Sequence, residues 1–149
     1  MDQTSGKDLR LSDCACRNLR MTTRVITQYY DKALLPCGLK SAQFALLNDI
    51  SSRTGGVSVN ELAEYAMMDQ TTVTRNIDVL RKHGFVLVKT EASDARKKRI
   101  TVSDAGKAKL VTARPFWKEA QLKVQQTVGQ EQYSSLLETL AVLKQMDHS

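Results

Sequence analysis

The chain has 149 residues, enough for one domain with a moderate core and too few for two independent ones. A hydrophobic content of 42% and a charged content of 26% are ordinary for a globular protein, while a formal net charge of +6 is a mild basic bias suited to nucleic acid or another acidic surface. No apolar run approaches the ~20 residues needed to span a bilayer, and the polar start MDQTSGKDLR does not read as a secretory signal, so no membrane partner is expected.

Taken in chain order, the first element runs from Leu11 to Leu35. Leu11, Ala15, Leu19, Thr22, Ile26, Tyr29 and Ala33 recur in steps of three and four, which predicts a long amphipathic helix ended by Pro36-Cys37-Gly38. Further on, Ser58-Val59-Asn60-Glu61 fits a capping box, and Leu62, Ala63, Ala66 and Met67 follow on one face of a short helix. Asp69 is a good N-cap for a second helix, in which Val73, Ile77 and Leu80 form the core stripe. Gln70, Thr71, Thr74, Arg75 and Asp78 fall away from that stripe, with Thr72 and Asn76 on its margins. Gly84 supplies a left-handed stop after Lys82 and His83, whose positions suit the negative end of the helix dipole.

Two β-prone runs come next, Phe85 to Lys89 and Arg99 to Val102, and they predict a hairpin whose tip is Thr90 to Lys98. Ser103 begins a further helix through Leu110, which Pro115 is expected to kink or restart because its ring removes a backbone donor. After Phe116, Trp117, Leu122 and Val124, and a break near Gly129, a last stripe is formed by Tyr133, Leu136, Leu137, Leu140, Leu143 and Met146. The stripe needs a partner surface, either the chain's own domain or a second copy.

Two helices joined by a tight turn and followed by a hairpin describe a winged helix-turn-helix, in which the second helix is the usual reading helix. From Arg75 through Lys109 there are ten Lys or Arg against four Asp or Glu, so the local excess equals the net charge of the whole chain. A helical pair is often only a packing unit, and a run such as Arg96 to Arg99 is often only a solvated loop. Capped ends, hairpin and focused charge occurring together favour duplex DNA over those readings, and over a winged helix that only binds protein.

The run Gly38 to Leu47 (GLKSAQFALL) resembles the opening "G-L-T-x-x-Q-[FW]-x-[LV]-L" of the MarR family of bacterial winged-helix transcription regulators. Ser58 to Ala63 resembles its "T-x-x-E-L-A" helix, Asp69 to Leu80 its "D-x-[ST]-T-V-[TS]-R-x-[IL]-[DK]-x-L" segment, and Asp94-x-Arg96 its wing-tip "D-x-R". Family members commonly carry two arginines after the wing aspartate, and Ala95 replaces the first of them here. Lys40, where Thr is common, and the polar pair Asn48-Asp49 are further departures.

The resemblance implies a mainly α fold with a small β-hairpin wing, in which residues 1–149 form one unit. Residues 38–103 would be its DNA-binding part, and 9–36 and 104–147 the helices of an interleaved homodimer on a palindromic operator. For contacts with DNA the residues singled out are Gln70, Thr71, Thr72, Thr74, Arg75 and Asn76 on the reading helix, with Lys89, Arg96, Lys97, Lys98 and Arg99 on the wing. Arg75 has the geometry for a bidentate contact to guanine, and Asp94, repelled by phosphate, is assigned to orienting Arg96 or capping the wing turn. Repression is the outcome toward which the resemblance leans.

Release by a small aromatic or anionic effector is also implied, in a cleft that Arg20, Thr23, Arg24, Tyr30 and Phe44 would approach; each of these aromatics has a competing reading as a core or interface residue. Three cysteines and no secretory signal point to a reducing cytoplasm with free thiols. Cys14 and Cys16 are two apart on the expected helix and would project about 200° from each other, which disfavours a local redox pair. A disulfide across a dimer, from Cys37 to an N-terminal cysteine, is the alternative. Enzymatic activity is not expected, nor a metal or cofactor, since His83 and His148 are the only histidines and neither a phosphate loop nor a clustered ligand set occurs.

Overall fold

The computed structural model describes residues 8–146, apart from the side chain of Ala95; residues 1–7 and 147–149, His148 among them, lie outside it. Among the described residues six α-helices and one hairpin follow in the order α1 (Ala15–Leu34), α2 (Ser41–Ser51), α3 (Val59–Ala66), α4 (Gln70–Lys82), β1 (Val86–Glu91), β2 (Asp94–Val102), α5 (Asp104–Val128) and α6 (Gln130–Lys144). The architecture is mainly α with a small two-stranded wing, as the sequence implies. Among the described residues no helix is long and apolar enough to cross a membrane.

The helix ends are where local chemistry predicts them. Ser58 Oγ accepts from the Glu61 amide at 3.1 Å, and Ser103 Oγ accepts from the Gly106 amide at 3.0 Å. Gly84 has φ 76°, with Gly84 N–H donating to Arg81 O and Phe85 N–H to Leu80 O, both at 2.9 Å. That paired closure is a Schellman motif, so α4 stops and the chain turns directly into the wing. Gly106 meets a different demand: a Cβ there would lie 2.1 Å from Phe85 O, so α5 can start against the wing base only without a side chain.

One core joins these elements. Leu46, Leu47 and Ile50 of α2, Leu62 of α3, Val73, Ile77 and Leu80 of α4, and Val86 and Ile100 of the wing are buried together with Leu110 and Ala113 of α5. A bridge from Val57 to Ile100, with hydrogen bonds of 3.0 and 2.8 Å, fastens the loop before α3 to the rear strand.

Four local expectations are corrected. Leu11 lies in a separate 3-10 turn, Leu11–Asp13, and Cys14 is the extended N-cap of α1, so the first helix starts later than its apolar pattern. Met67 is exposed, because it adopts the left-handed conformation that closes α3; Met68, one residue on, packs against the core instead. Pro115 lies inside an uninterrupted α5, on an exposed face where the carbonyl it leaves unpaired can reach water. The wing strands reach into the expected tip, leaving only Ala92 and Ser93 as the turn.

The terminal helices leave apolar surface uncovered. Within α6 no residue is buried, and Leu136, Leu137 and Val142 are exposed; α1 buries only Leu34 and exposes Met21, Val25 and Ile26. Folding back onto the chain's own domain therefore does not cover the last stripe.

Candidate nucleic-acid interface

The polar face of α4 is built from its cap outward. Asp69 accepts from the Thr71 amide and from the Thr72 hydroxyl, both at 3.2 Å, which fixes the first turn. Gln70, Thr71, Thr74 and Arg75 are exposed, and among the described residues their side chains make no hydrogen bond or ion pair. Thr72 and Asn76 differ: both are half-buried, and Asn76 Nδ2 donates to Thr72 O at 2.9 Å, so this pair braces the helix from within. Further along, Asp78 holds Arg81 at 3.0 Å and Lys82 at 3.8 Å. The Arg81 hydrogen bond, with the charges of Lys82 and Arg81 behind it, keeps the Asp78 carboxyl below its ordinary pKa. Among the described residues Arg75 is thus the one cation of this helix with no acidic partner.

The wing has a register slip. Val86 to Thr90 pair in order with Val102 to Lys98, but the next pair is Glu91 with Asp94, so residues 95–97 stand opposite no residue of β1. The backbone bulges there, and Arg96 and Lys97 border an open cleft with Ser58, Asn60 and Glu61 at the start of α3 and with Glu91. Asp94 Oδ1 accepts from the Arg96 amide at 3.0 Å, a local turn at the start of the bulge. Lys89, Arg96, Lys97 and Lys98 are exposed and without an acidic partner among the described residues. Arg99 is not equivalent to them, because its guanidinium is bonded to Glu91 at 2.5 Å and to Gly56 O at 3.3 Å.

Helix and wing face a common concavity. Thr74, Asp78 and Arg81 of α4, with Thr90 and Lys98 of the wing, line one open cleft of about 450 Å³. Of the unpaired α4 face only Thr74, and of the unpaired wing cations only Lys98, line it, beside the apolar Val59, Ile77, Val88 and Ile100. An exposed polar helix next to a cationic hairpin suits a duplex with one element in a groove and the other on the adjoining backbone.

A second cavity, about 390 Å³, opens between α1, α2 and α5. Tyr30 and Phe44 line it, as the sequence suggested, whereas Arg20, Thr23 and Arg24 are exposed on α1 and take no part in its lining. Sequence reasoning missed Trp117, which stacks on Phe44 at 6.0 Å, and Arg114, the cation at the rim. Tyr30 Oη donates to Gln121 Oε1 at 2.5 Å, and Gln121 Nε2 donates to Tyr133 Oη at 2.7 Å, so this wall ties α1, α5 and α6 together. Burial, then the neighbouring Tyr133 and Tyr29, raises the Tyr30 pKa; burial raises that of Asp49, with the Arg53 charge opposing it. The polar pair Asn48-Asp49 was the available signal, since both residues line this cavity.

The cysteines separate into two environments. Cys37 is buried, and a disulfide from it to a partner's N-terminal cysteine would require opening of the core. Cys16 is exposed, with Arg20 Nη2 at 3.3 Å from its sulfur. Cys14, as the extended cap, is not related to Cys16 by helical geometry, so the expected 200° separation does not apply.

The fold and this interface define a winged helix-turn-helix transcription regulator. A model described as "MarR family" matches residues 38–97, and the M. tuberculosis transcriptional regulator MosR is 35% identical, with 91% of this chain and 96% of that chain covered at a TM-score of 0.81. The chain belongs to the MarR family, whose members are DNA-binding transcription regulators. The structure of MosR in complex with DNA is 36% identical, covers 89% of this chain and 99% of that chain, and gives a TM-score of 0.71. Bordetella bronchiseptica BpsR, whose DNA binding is regulated by 6-hydroxynicotinic acid, has the same fold at 19% identity and a TM-score of 0.82, covering 94% of this chain and 99% of that chain. Comparison with curated protein sequences finds no match.

Proposed function

We propose that the chain is a sequence-specific repressor that grips a palindromic operator as a homodimer. The observation that carries the reading is the exposed, unpaired face Gln70, Thr71, Thr74 and Arg75 of α4 together with the exposed wing cations, Thr74 and Lys98 lining one cleft between them. Arg75 reads guanine edges in the major groove, Gln70, Thr71 and Thr74 bond neighbouring base edges or phosphates, and Arg96, Lys97, Lys98 and Lys89 hold the backbone or adjoining minor groove. Thr72 and Asn76 serve this face as its internal brace. Residues 38–103 form the DNA-binding part, and 9–36 with 104–147 the dimerisation part, where the exposed apolar residues of α1, α5 and α6 bury each other. A twofold dimer spaces its reading helices roughly 34–36 Å apart, one turn of duplex. Selecting bound duplexes from a random library tests the whole reading: an inverted repeat with half-sites one turn apart supports it. Failure to shift any duplex at low salt would favour a winged helix that binds protein.

Release by a small molecule is supported by the second cavity, whose Phe44 and Trp117 walls suit a flat aromatic and whose Arg114 suits an anionic group. Family relatives such as BpsR, which responds to an aromatic acid, lend weight to this reading. Titrating the selected operator complex with aromatic acids should release DNA, and Trp117→Ala should abolish that response without loss of operator affinity. Oxidation of Cys16 is a second route of release, favoured by its exposure and the guanidinium beside it. Peroxide that leaves operator affinity untouched removes that route.

A further inference from the structure

Arg99 ends the most basic run of the chain, yet its guanidinium turns back toward the protein. Its Nε donates to Glu91 Oε1 at 2.5 Å and its Nη1 to Gly56 O at 3.3 Å. Those two acceptors belong to different segments. Glu91 is the last residue of β1, at the point where strand register slips, and is only about one-fifth exposed on its side chain. Gly56 precedes Val57, whose backbone bridges to Ile100 and anchors the rear strand to the loop before α3.

The wing is thus held at two levels. Below the slip, five ordered pairs and the Val57–Ile100 bridge fix the strands by main-chain hydrogen bonds. At the slip residues 95–97 have no partner on β1, and pairing resumes only with Glu91 opposite Asp94. Arg99 supplies the missing tie there, since one planar guanidinium can satisfy two acceptors in fixed directions where an ammonium cannot.

We propose that Glu91 and Arg99 are a positioning pair that aims the bulged Arg96-Lys97-Lys98 segment at the DNA backbone, and that Arg99 makes no phosphate contact itself. The proposal rests on the DNA-binding reading, and its test is chosen so that the two fail differently. Simple electrostatics and the proposal give opposite signs for one substitution. Glu91→Ala removes a negative charge from a surface that faces phosphate, which by charge alone strengthens binding. Loss of aim weakens it.

The experiment titrates full-length protein with a random-sequence duplex at several salt concentrations and measures melting temperature beside affinity. Salt-dependent binding by the unaltered chain must be seen first; its absence overturns the DNA-binding reading and this proposal with it. Given that binding, Glu91→Ala should weaken affinity about fivefold, the scale of a partly shielded ion pair, at a melting temperature close to that of the parent. Glu91→Gln, which keeps the oxygen that Arg99 Nε meets, should recover most of the loss. Arg99→Gln should weaken binding and lower the salt slope only as far as Glu91→Ala does, since both act through the same wing cations, whereas loss of a phosphate contact by Arg99 itself lowers the slope by about a further 0.9 per copy. Glu91→Ala binding as tightly as the parent or tighter would overturn the proposal, and so would a slope for Arg99→Gln distinctly shallower than that of Glu91→Ala.

Discussion

Replacing Arg96 with alanine isolates the wing's share of binding. Arg96 lies in the bulge, is exposed, and has no ion pair among the described residues, so its loss should take a cation from the proposed DNA contact and little from the fold. In a twofold dimer the substitution removes two phosphate contacts. Each contact contributes roughly 0.9 to the slope of log K against log salt, so the slope should become shallower by about 1.8. Between 50 and 200 mM salt the ratio of parent to variant affinity should then shrink by about twelvefold, because the parent loses counterion release that the variant never had. Fluorescence anisotropy on the selected operator and on a random duplex, each at four or more salt concentrations, measures both slopes. The deficit should be similar on the two duplexes, since phosphate contacts carry no sequence information. An unchanged slope would refute the assignment of Arg96 to the backbone, and a deficit confined to the operator would make it a base contact instead.

Gly106→Ala should destabilise the chain by about 3 kcal/mol or more, read as a lowered chemical-denaturation midpoint, because the added Cβ would collide with Phe85 O and force α5 away from the wing base. Asp49→Asn should raise the melting temperature at neutral pH. Burial lifts the folded-state pKa of Asp49 above its ordinary 3.8, so ionisation costs stability above that raised value, and the advantage of the amide should fade as pH falls into the carboxylate range. Leu137→Glu, on the exposed stripe of α6, should shift the protein toward monomer in sedimentation and weaken operator binding, while circular dichroism shows the helices retained.

What the sequence made legible was local. Ser58, Asp69, Ser103 and Gly84 cap helix ends within four residues of themselves, so the start of α3, both ends of α4 and the start of α5 could be read without knowing the fold. The same holds for the exposed side of α4, which follows from the spacing of Val73, Ile77 and Leu80. Met67 and Met68 show how little suffices to defeat a pattern: one left-handed residue moves the apolar contact to the next position. Arg99 was grouped with its neighbours because the Gly56 carbonyl that claims it lies 43 residues away. The second cavity was half-read for a similar reason, since Tyr30, Phe44 and Trp117 come from three separate helices and meet only after folding. Charge along the wing concealed its strands, as Arg96 to Arg99 lack the β-branched signature that marks Ile100 to Val102.

The most direct test of the account is the affinity of Arg75→Ala for the selected operator and for random duplex under one salt condition. Arg75 as the reader of the major groove predicts a loss of about 1–3 kcal/mol on the operator, five- to 150-fold, with a distinctly smaller loss on random sequence. Equal losses on both duplexes would contradict it, because α4 would then be gripping the backbone without reading the bases.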